Sequence, residues 1–197
     1  YCSQLLKAIE LYKRNSTSLK NFLTTLKSNP FSYKDVVLSL MRSHIKIETE
    51  IIKLENILND FIDGWCKDLK RNLLTIPSLG NRAVSYLIIY TDAFTKITNA
   101  RQLIALAGTS PTEHTSGTSI SVKKGICKMG YADLRKTLYL CSWQAISCNK
   151  ACKEQYKRLK AAGKPSKVAL IAVCNKLLRQ AFAIATKGTT YQPSYPS

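Results

Sequence analysis

The chain has 197 residues, enough for one domain with a sizeable core or for a small domain plus an extended arm. Thirty Lys and Arg against twelve Asp and Glu give a formal charge of +18 and a pI near 9.7, far from the balance of an ordinary cytosolic enzyme and pointing to a polyanionic partner. No run of eighteen apolar residues and no lipidation signal occurs, so nucleic acid is expected as that partner and a membrane is not.

In chain order, Leu5, Ile9, Tyr12, Ser16, Leu19, Leu23 and Leu26 step by alternating fours and threes, the seam of a helix packed along another helix. Ser28-Asn29-Pro30 stops it. A second series (Val37, Leu40, His44, Ile47, Ile51, Leu54, Leu58, Phe61, Trp65) keeps that alternation over four heptads, and the short turn between the two predicts an antiparallel coiled-coil hairpin over residues 1–70. Met41, Ile45, Ile52 and Ile62 widen the second helix's apolar face, which suits a second copy of the chain. His44, the only polar member of its series, is expected as a hydrogen-bonded seam residue that sets register.

Leu73 to Asn81 ends one helix, turns through Pro77-Ser78-Leu79-Gly80, and leads into the apolar stretch Ala83 to Tyr90, a pattern that predicts a helix-hairpin-helix. Backbone N–H groups at Gly80 and Asn81 are then candidates to hold a phosphate; the alternative is an ordinary turn between packed helices. Residues 101–107 suit a short helix closed by Gly108, and Thr109 to Ser121 reads as a polar loop, with Thr118 to Val122 its one stretch of strand-like alternation. Helical spacing resumes from Ala132 to Lys160, breaks at Ala162-Gly163-Lys164-Pro165, and runs again from Ser166 to Ala185. The fold class expected is mainly α, with a compact helical domain over 71–197.

The charge is uneven: residues 1–117 carry 15 basic and 10 acidic side chains (+5), whereas residues 118–188 carry 15 and 2 (+13). The second stretch is the expected docking surface. Seven cysteines, scattered without C-x-x-C spacing, suggest neither a disulfide framework nor a zinc ribbon, and fit a reducing cytoplasm. Cys141, Cys148 and Cys152 share a helix face and are expected as small apolar residues rather than as a metal site.

No paired-carboxylate motif, phosphate loop, nucleophile elbow or zinc-protease motif occurs. The polar loop is what remains for chemistry. It holds Glu113, His114, Ser116 and Gly117, and is followed by Lys123, Lys124, Lys128 and Arg135. A serine hydroxyl among cations can attack a phosphodiester while Lys and Arg stabilise charge on the non-bridging oxygens, although serine-rich loops are more often loops only. Lys164 and Lys167 extend the cationic set, and Glu113 and His114 are candidates for a local base.

Over residues 70–190 the chain resembles the insertion-sequence transposases and DNA invertases of the Piv and IS-one-ten type, described as bridge-RNA-guided serine recombinases. The resemblance rests on Leu74-Thr75-Ile76-Pro77-Ser78-Leu79-Gly80, on Gln102-Leu103 through Ala107-Gly108, and on Pro111 with Ser116-Gly117. It continues through Gly125-Ile126, Lys128-Met129-Gly130, Leu134-Arg135, Tyr156, Leu159, Gly163-Lys164, Lys167-Val168-Ala169 and Leu177-Leu178. It implies DNA recombination with Ser116 as nucleophile, DNA and a guide RNA as partners, and a dimer or tetramer assembled through the coiled coil. It also implies a RuvC-like domain, outside this chain, whose four acidic residues bind Mg2+; no metal ligand is expected within the chain. Beginning at Tyr1 without a methionine, the chain is expected to be part of a longer protein, inactive by itself. Two departures stand out: Ser78 replaces the first glycine of the usual Pro-Gly-x-Gly turn, and Thr109 replaces a leucine. The rival readings are a binding module without chemistry and a purely structural dimerisation device.

Overall fold

The computed structural model describes residues 1–28, 33–116 and 120–193, with the side chains of 112–124 outside the description. The chain is mainly α, as expected. Its elements are α1 (Cys2–Ser28), α2 (Lys34–Leu74), α3 (Asn81–Thr91), α4 (Ala100–Ala107), β1 (Pro111–Ser116), β2 (Ile120–Ile126), α5 (Ala132–Cys148), α6 (Lys150–Ala161) and α7 (Ser166–Lys187). Two compact units divide it, Tyr1–Trp65 and Cys66–Ser197. The division falls at Cys66, which has non-helical torsions (φ −151, ψ 52) inside α2.

In the first unit α1 and the facing part of α2 run antiparallel. Lys13 pairs with Glu55, Ser16 donates to Glu48, and Tyr1 and Phe61 meet with ring centroids 6.0 Å apart. Leu6, Ile9, Leu23, Ile51, Leu58 and Ile62 fill the seam. His44 is a partnered seam residue, with Nε2 3.2 Å from Ser16 Oγ. The last heptad departs from the sequence reading: Phe61 and Trp65 are 43% and 44% exposed, and Ile62 is buried instead. A straight helix drifts by about 20° per heptad against a 3.5-residue repeat, so after four heptads the seam has passed to the next residue.

The second unit is built around α7. Its Ala169, Leu170, Val173, Cys174, Leu177, Leu178, Ala181 and Ile184 are buried, against α5, α6 and α4. By length and composition α7 is apolar enough to cross a membrane, but its apolar stripe is the core of this unit, and Lys176 and Arg179 lie on its other side. Asn99 caps α4 by accepting the Gln102 N–H at 3.0 Å, and Gln102 Oε1 accepts the Thr98 N–H at 2.9 Å, a reciprocal capping arrangement. Gly108 closes α4 in the left-handed region (φ 67), as its sequence position predicts.

Two expectations are corrected. The helix expected from Ala132 to Lys160 is two helices, broken at Asn149, which ends α5 and caps α6 by accepting the Cys152 N–H. Asn149 is 1% exposed and donates Nδ2 to Gln180 Oε1 at 3.0 Å; a short amide that caps its own helix competes with continuation. The polar stretch Thr109–Ser121, read as a loop, contributes to an antiparallel hairpin of β1 and β2. Thr112, Thr115, Ile120 and Val122 supply the β-branched residues that favour extended backbone.

Candidate nucleic-acid interface

The turn between α2 and α3 is the first feature to carry a functional expectation. The Leu79 N–H donates to the Ile76 carbonyl at 3.1 Å, Pro77 follows Ile76, and Ser78 has φ 85. This is a type II turn, in which the residue at Ser78's position needs a positive φ and is ordinarily glycine. Ser78 thus takes the glycine conformation without being glycine, and its buried Oγ has no hydrogen-bond partner. Gly80 precedes α3 with extended backbone and gives no side-chain cap; Gly80 and Asn81 are exposed. The thiol of Cys141 on α5 lies against the backbone N–H of Gly80, and burial nevertheless raises its pKa.

The hairpin β1–β2 stands on a tightly built base. The register pairs Thr112 with Lys124, Glu113 with Lys123, His114 with Val122 and Ser116 with Ile120, with an irregularity between Pro111 and Thr112 where it steps from Lys124 to Ile126. Ser116 therefore occupies the last paired position of β1, at the far end of the hairpin from its base. Gly117 lies outside the described residues. Of Glu113, His114, Ser116, Lys123 and Lys124, backbone positions are described and side chains are not.

At the base, the Cys127 N–H donates to the Ser110 carbonyl at 2.8 Å. Thr109, fully buried, donates Oγ1 to Asn175 Oδ1 of α7 at 2.6 Å, and Asn175 Nδ2 donates back to the Thr109 carbonyl at 3.4 Å. This pair gives the departure at Thr109 a physical reason: a hydroxyl on the strand's approach is matched by an amide on α7. Arg135 Nη1 donates to the carbonyls of Ala107 at 3.2 Å and Lys128 at 3.3 Å. It thereby ties the end of α4 to a three-residue turn in which Lys128 has φ 37 and Met129 N–H meets the Cys127 carbonyl. Gly130 (φ 146) passes so close to α4 that an added Cβ would lie 2.3 Å from the Leu106 carbonyl oxygen. The turn is pinned, and Lys128 is exposed on it.

Beside this base lies an open groove of about 1030 Å³ between α5, α7 and the strand ends. Of the sequence-predicted cations it brings together Arg135 and Lys167; Lys128 and Lys164 are exposed but do not line it. Lys136 and Tyr139 also line it and were missed, because they continue an ordinary helical pattern and nothing in the sequence says that α5 meets α7 there. A second missed feature is Lys150, Lys153, Lys157 and Lys160 of α6, all exposed. Their 3-4-3 spacing was legible and places them within one face, over about 15 Å of helix. Among the described residues no group of three or more His, Cys, Asp or Glu could hold a metal ion.

The second unit is thus mainly helical, with the β1–β2 hairpin and an open groove beside the hairpin's base. Residues 70–157 match the family model of the transposase IS116/IS110/IS902 family, so this stretch, which contains the turn at Ser78, the hairpin and α5, is similar to the transposase domain of insertion elements. Over 162 residues, 82% of the chain, it is 26% identical to the insertion element IS110 uncharacterized 43.6 kDa protein of Streptomyces coelicolor. The chain spans 39% of that protein's length.

Proposed function

We propose that the chain is the DNA-binding and strand-joining part of a cytoplasmic bacterial transposase, with Ser116 as its nucleophile. The observation that carries this reading is that the stretch matching a transposase family model contains the hairpin on which Ser116 sits, next to the most basic part of the chain. Ser116 Oγ attacks the scissile phosphorus and loses its proton to solvent or to a local base such as His114. The bond from phosphorus to the 3′ oxygen breaks, leaving a 3′-hydroxyl on one DNA end and a phosphoserine on the other. Attack by the 3′-hydroxyl of a partner end on that phosphoserine reverses the step, releases the serine and joins the strands. Lys123, Lys124 and Lys128 stabilise charge on the non-bridging oxygens, and Gly80 with Asn81 holds backbone phosphate. The first unit, with Ile45 and Ile52 more than half exposed on α2, brings two copies together; a guide RNA that selects the target is the further partner of this reading.

The test joins the chain to an N-terminal metal-binding domain of the relatives' kind, supplies Mg2+ and a nicked suicide substrate, and looks for a denaturation-resistant protein–DNA adduct. The adduct forms with Ser116 and is absent in Ser116→Ala. An adduct that persists in the alanine variant, or cleavage with no adduct, overturns the serine mechanism and leaves a binding and assembly domain.

A further inference from the structure

The groove beside the hairpin base has a composition that duplex DNA does not use. Its floor is apolar, with Ile126, Leu140, Val168 and Ile171 among the lining residues, while Lys136 and Lys167 stand with Arg135 as its charged members. Among the described residues no Asp or Glu lines it. Leu140 is 60% exposed and Val168 53%, so more than half of each of these apolar side chains faces the open groove or solvent. A B-form duplex presents phosphates and groove edges, and it would leave such a floor wet. A second copy of this chain would bring its own +18 against the groove's cations. The ligand that matches both features has a flat apolar body and an anionic edge.

We infer that the groove between α5, α7 and the hairpin base holds an unpaired stretch of DNA strand, with bases on the apolar floor and phosphates on Lys136 and Lys167. Cations that track the backbone, with flat side chains that take the bases, are the general chemistry of single-strand binding. Tyr139 lines the groove and supplies the ring. The volume of about 1030 Å³ is at the upper limit of sites for one drug-sized ligand, roughly 300–1,000 Å³, and takes a few nucleotides. Deoxyribose suits the floor better than ribose, because a 2′-hydroxyl set over apolar side chains would lose its hydration without gaining a partner. Ser116 is one strand length away along β1, about 17 Å. The groove thus holds the strand a short distance from the phosphate under attack, and keeps its bases from re-pairing while the ends exchange. The inference rests on the DNA-binding reading above and adds the form of DNA that the site takes.

The test measures fluorescence anisotropy of the 197-residue chain with a 12-nucleotide DNA single strand, the same length of duplex, and a 12-nucleotide RNA of the same sequence. The single strand binds about tenfold more tightly than the duplex. The charge-neutral pair Leu140→Ser with Val168→Ser, both at exposed positions so that folding is kept, brings that ratio to about one while leaving duplex affinity as it was. A second probe is a single strand carrying 2-aminopurine, whose fluorescence changes on binding to the native chain and not to the double variant. Equal affinity for strand and duplex, a ratio untouched by the double variant, or tighter binding of the RNA each overturns the inference and leaves DNA binding standing. Failure to bind any of the three nucleic acids overturns both.

Discussion

Ser78 shows how much a single residue can report. The turn Ile76-Pro77-Ser78-Leu79 closes with the Leu79 N–H on the Ile76 carbonyl and demands a positive φ at the third residue, which Ser78 adopts at 85°. Serine pays twice there, once for a Cβ in a region that favours glycine and once for a buried hydroxyl without a partner. Ser78→Gly is therefore expected to stabilise the fold by about 1 kcal/mol, since relief of the strained φ and loss of the orphaned hydroxyl together exceed the added unfolded-state entropy of glycine. Urea denaturation at neutral pH reads this as a higher midpoint with an unchanged slope. A lower midpoint would mean that the hydroxyl is satisfied in solution and that the turn needs it. The same substitution restores the Pro-Gly-x-Gly pattern, so duplex affinity of the variant also tests whether this turn holds phosphate.

At the scale of elements, α5, α6 and α7 meet around two buried thiols. Burial pushes Cys152 up to about 12 and Cys174 up to about 11, from an ordinary value of 9.0. Each thiol holds its proton more tightly when folded, so the contribution is fully present below pH 9 and is lost as pH climbs towards 11 and 12. The melting temperature of the native chain should fall more between pH 8 and pH 11 than that of Cys152→Ala with Cys174→Ala, each protein being compared with itself. Equal falls would show that groups other than these two thiols account for all of the alkaline loss. These helices also show where sequence reading succeeds. Periodicity and punctuation marked α1, α4 and α7, the stop at Gly108 and the break near Gly163, because each depends on contacts within a few residues. It missed the break at Asn149, where the capping side chain is also held by Gln180 on a different helix, and it missed β1 and all of β2 beyond the strand-like Thr118–Val122, because their pairing joins residues up to fifteen apart. The candidate site divides in the same way. The Ser116 segment and its cations were legible as a polar, basic stretch, whereas the groove was not, because α5 and α7 bring Tyr139 and Lys167 together from positions that no local pattern links.

For the whole molecule the question is whether the charge of +18 acts as a total or through its placement. A uniform excess would raise affinity for any polyanion from every side, and removal of four lysines anywhere would then have the same effect. Placement predicts otherwise: Lys150, Lys153, Lys157 and Lys160 form one exposed face of α6, in the half of the chain where acids are few. Changing these four to Gln, or changing Lys7, Lys20, Lys27 and Lys46 of the first unit to Gln, gives the same net charge of +14 (18 − 4). Each phosphate contact contributes about 0.9 to the slope of log affinity against log salt for duplex DNA. The α6 variant should therefore lose up to about 3 to 4 from that slope, while the first-unit variant keeps the native slope to within about 1. Because counterion release counts only cations that replace condensed ions at the backbone, equal slopes in the two variants would place the DNA across both units and remove α6 as the track. A difference confined to the α6 variant would instead make that helix the lysine face that neutralises the duplex flanking the hairpin, leaving the hairpin and groove to the strand that reacts.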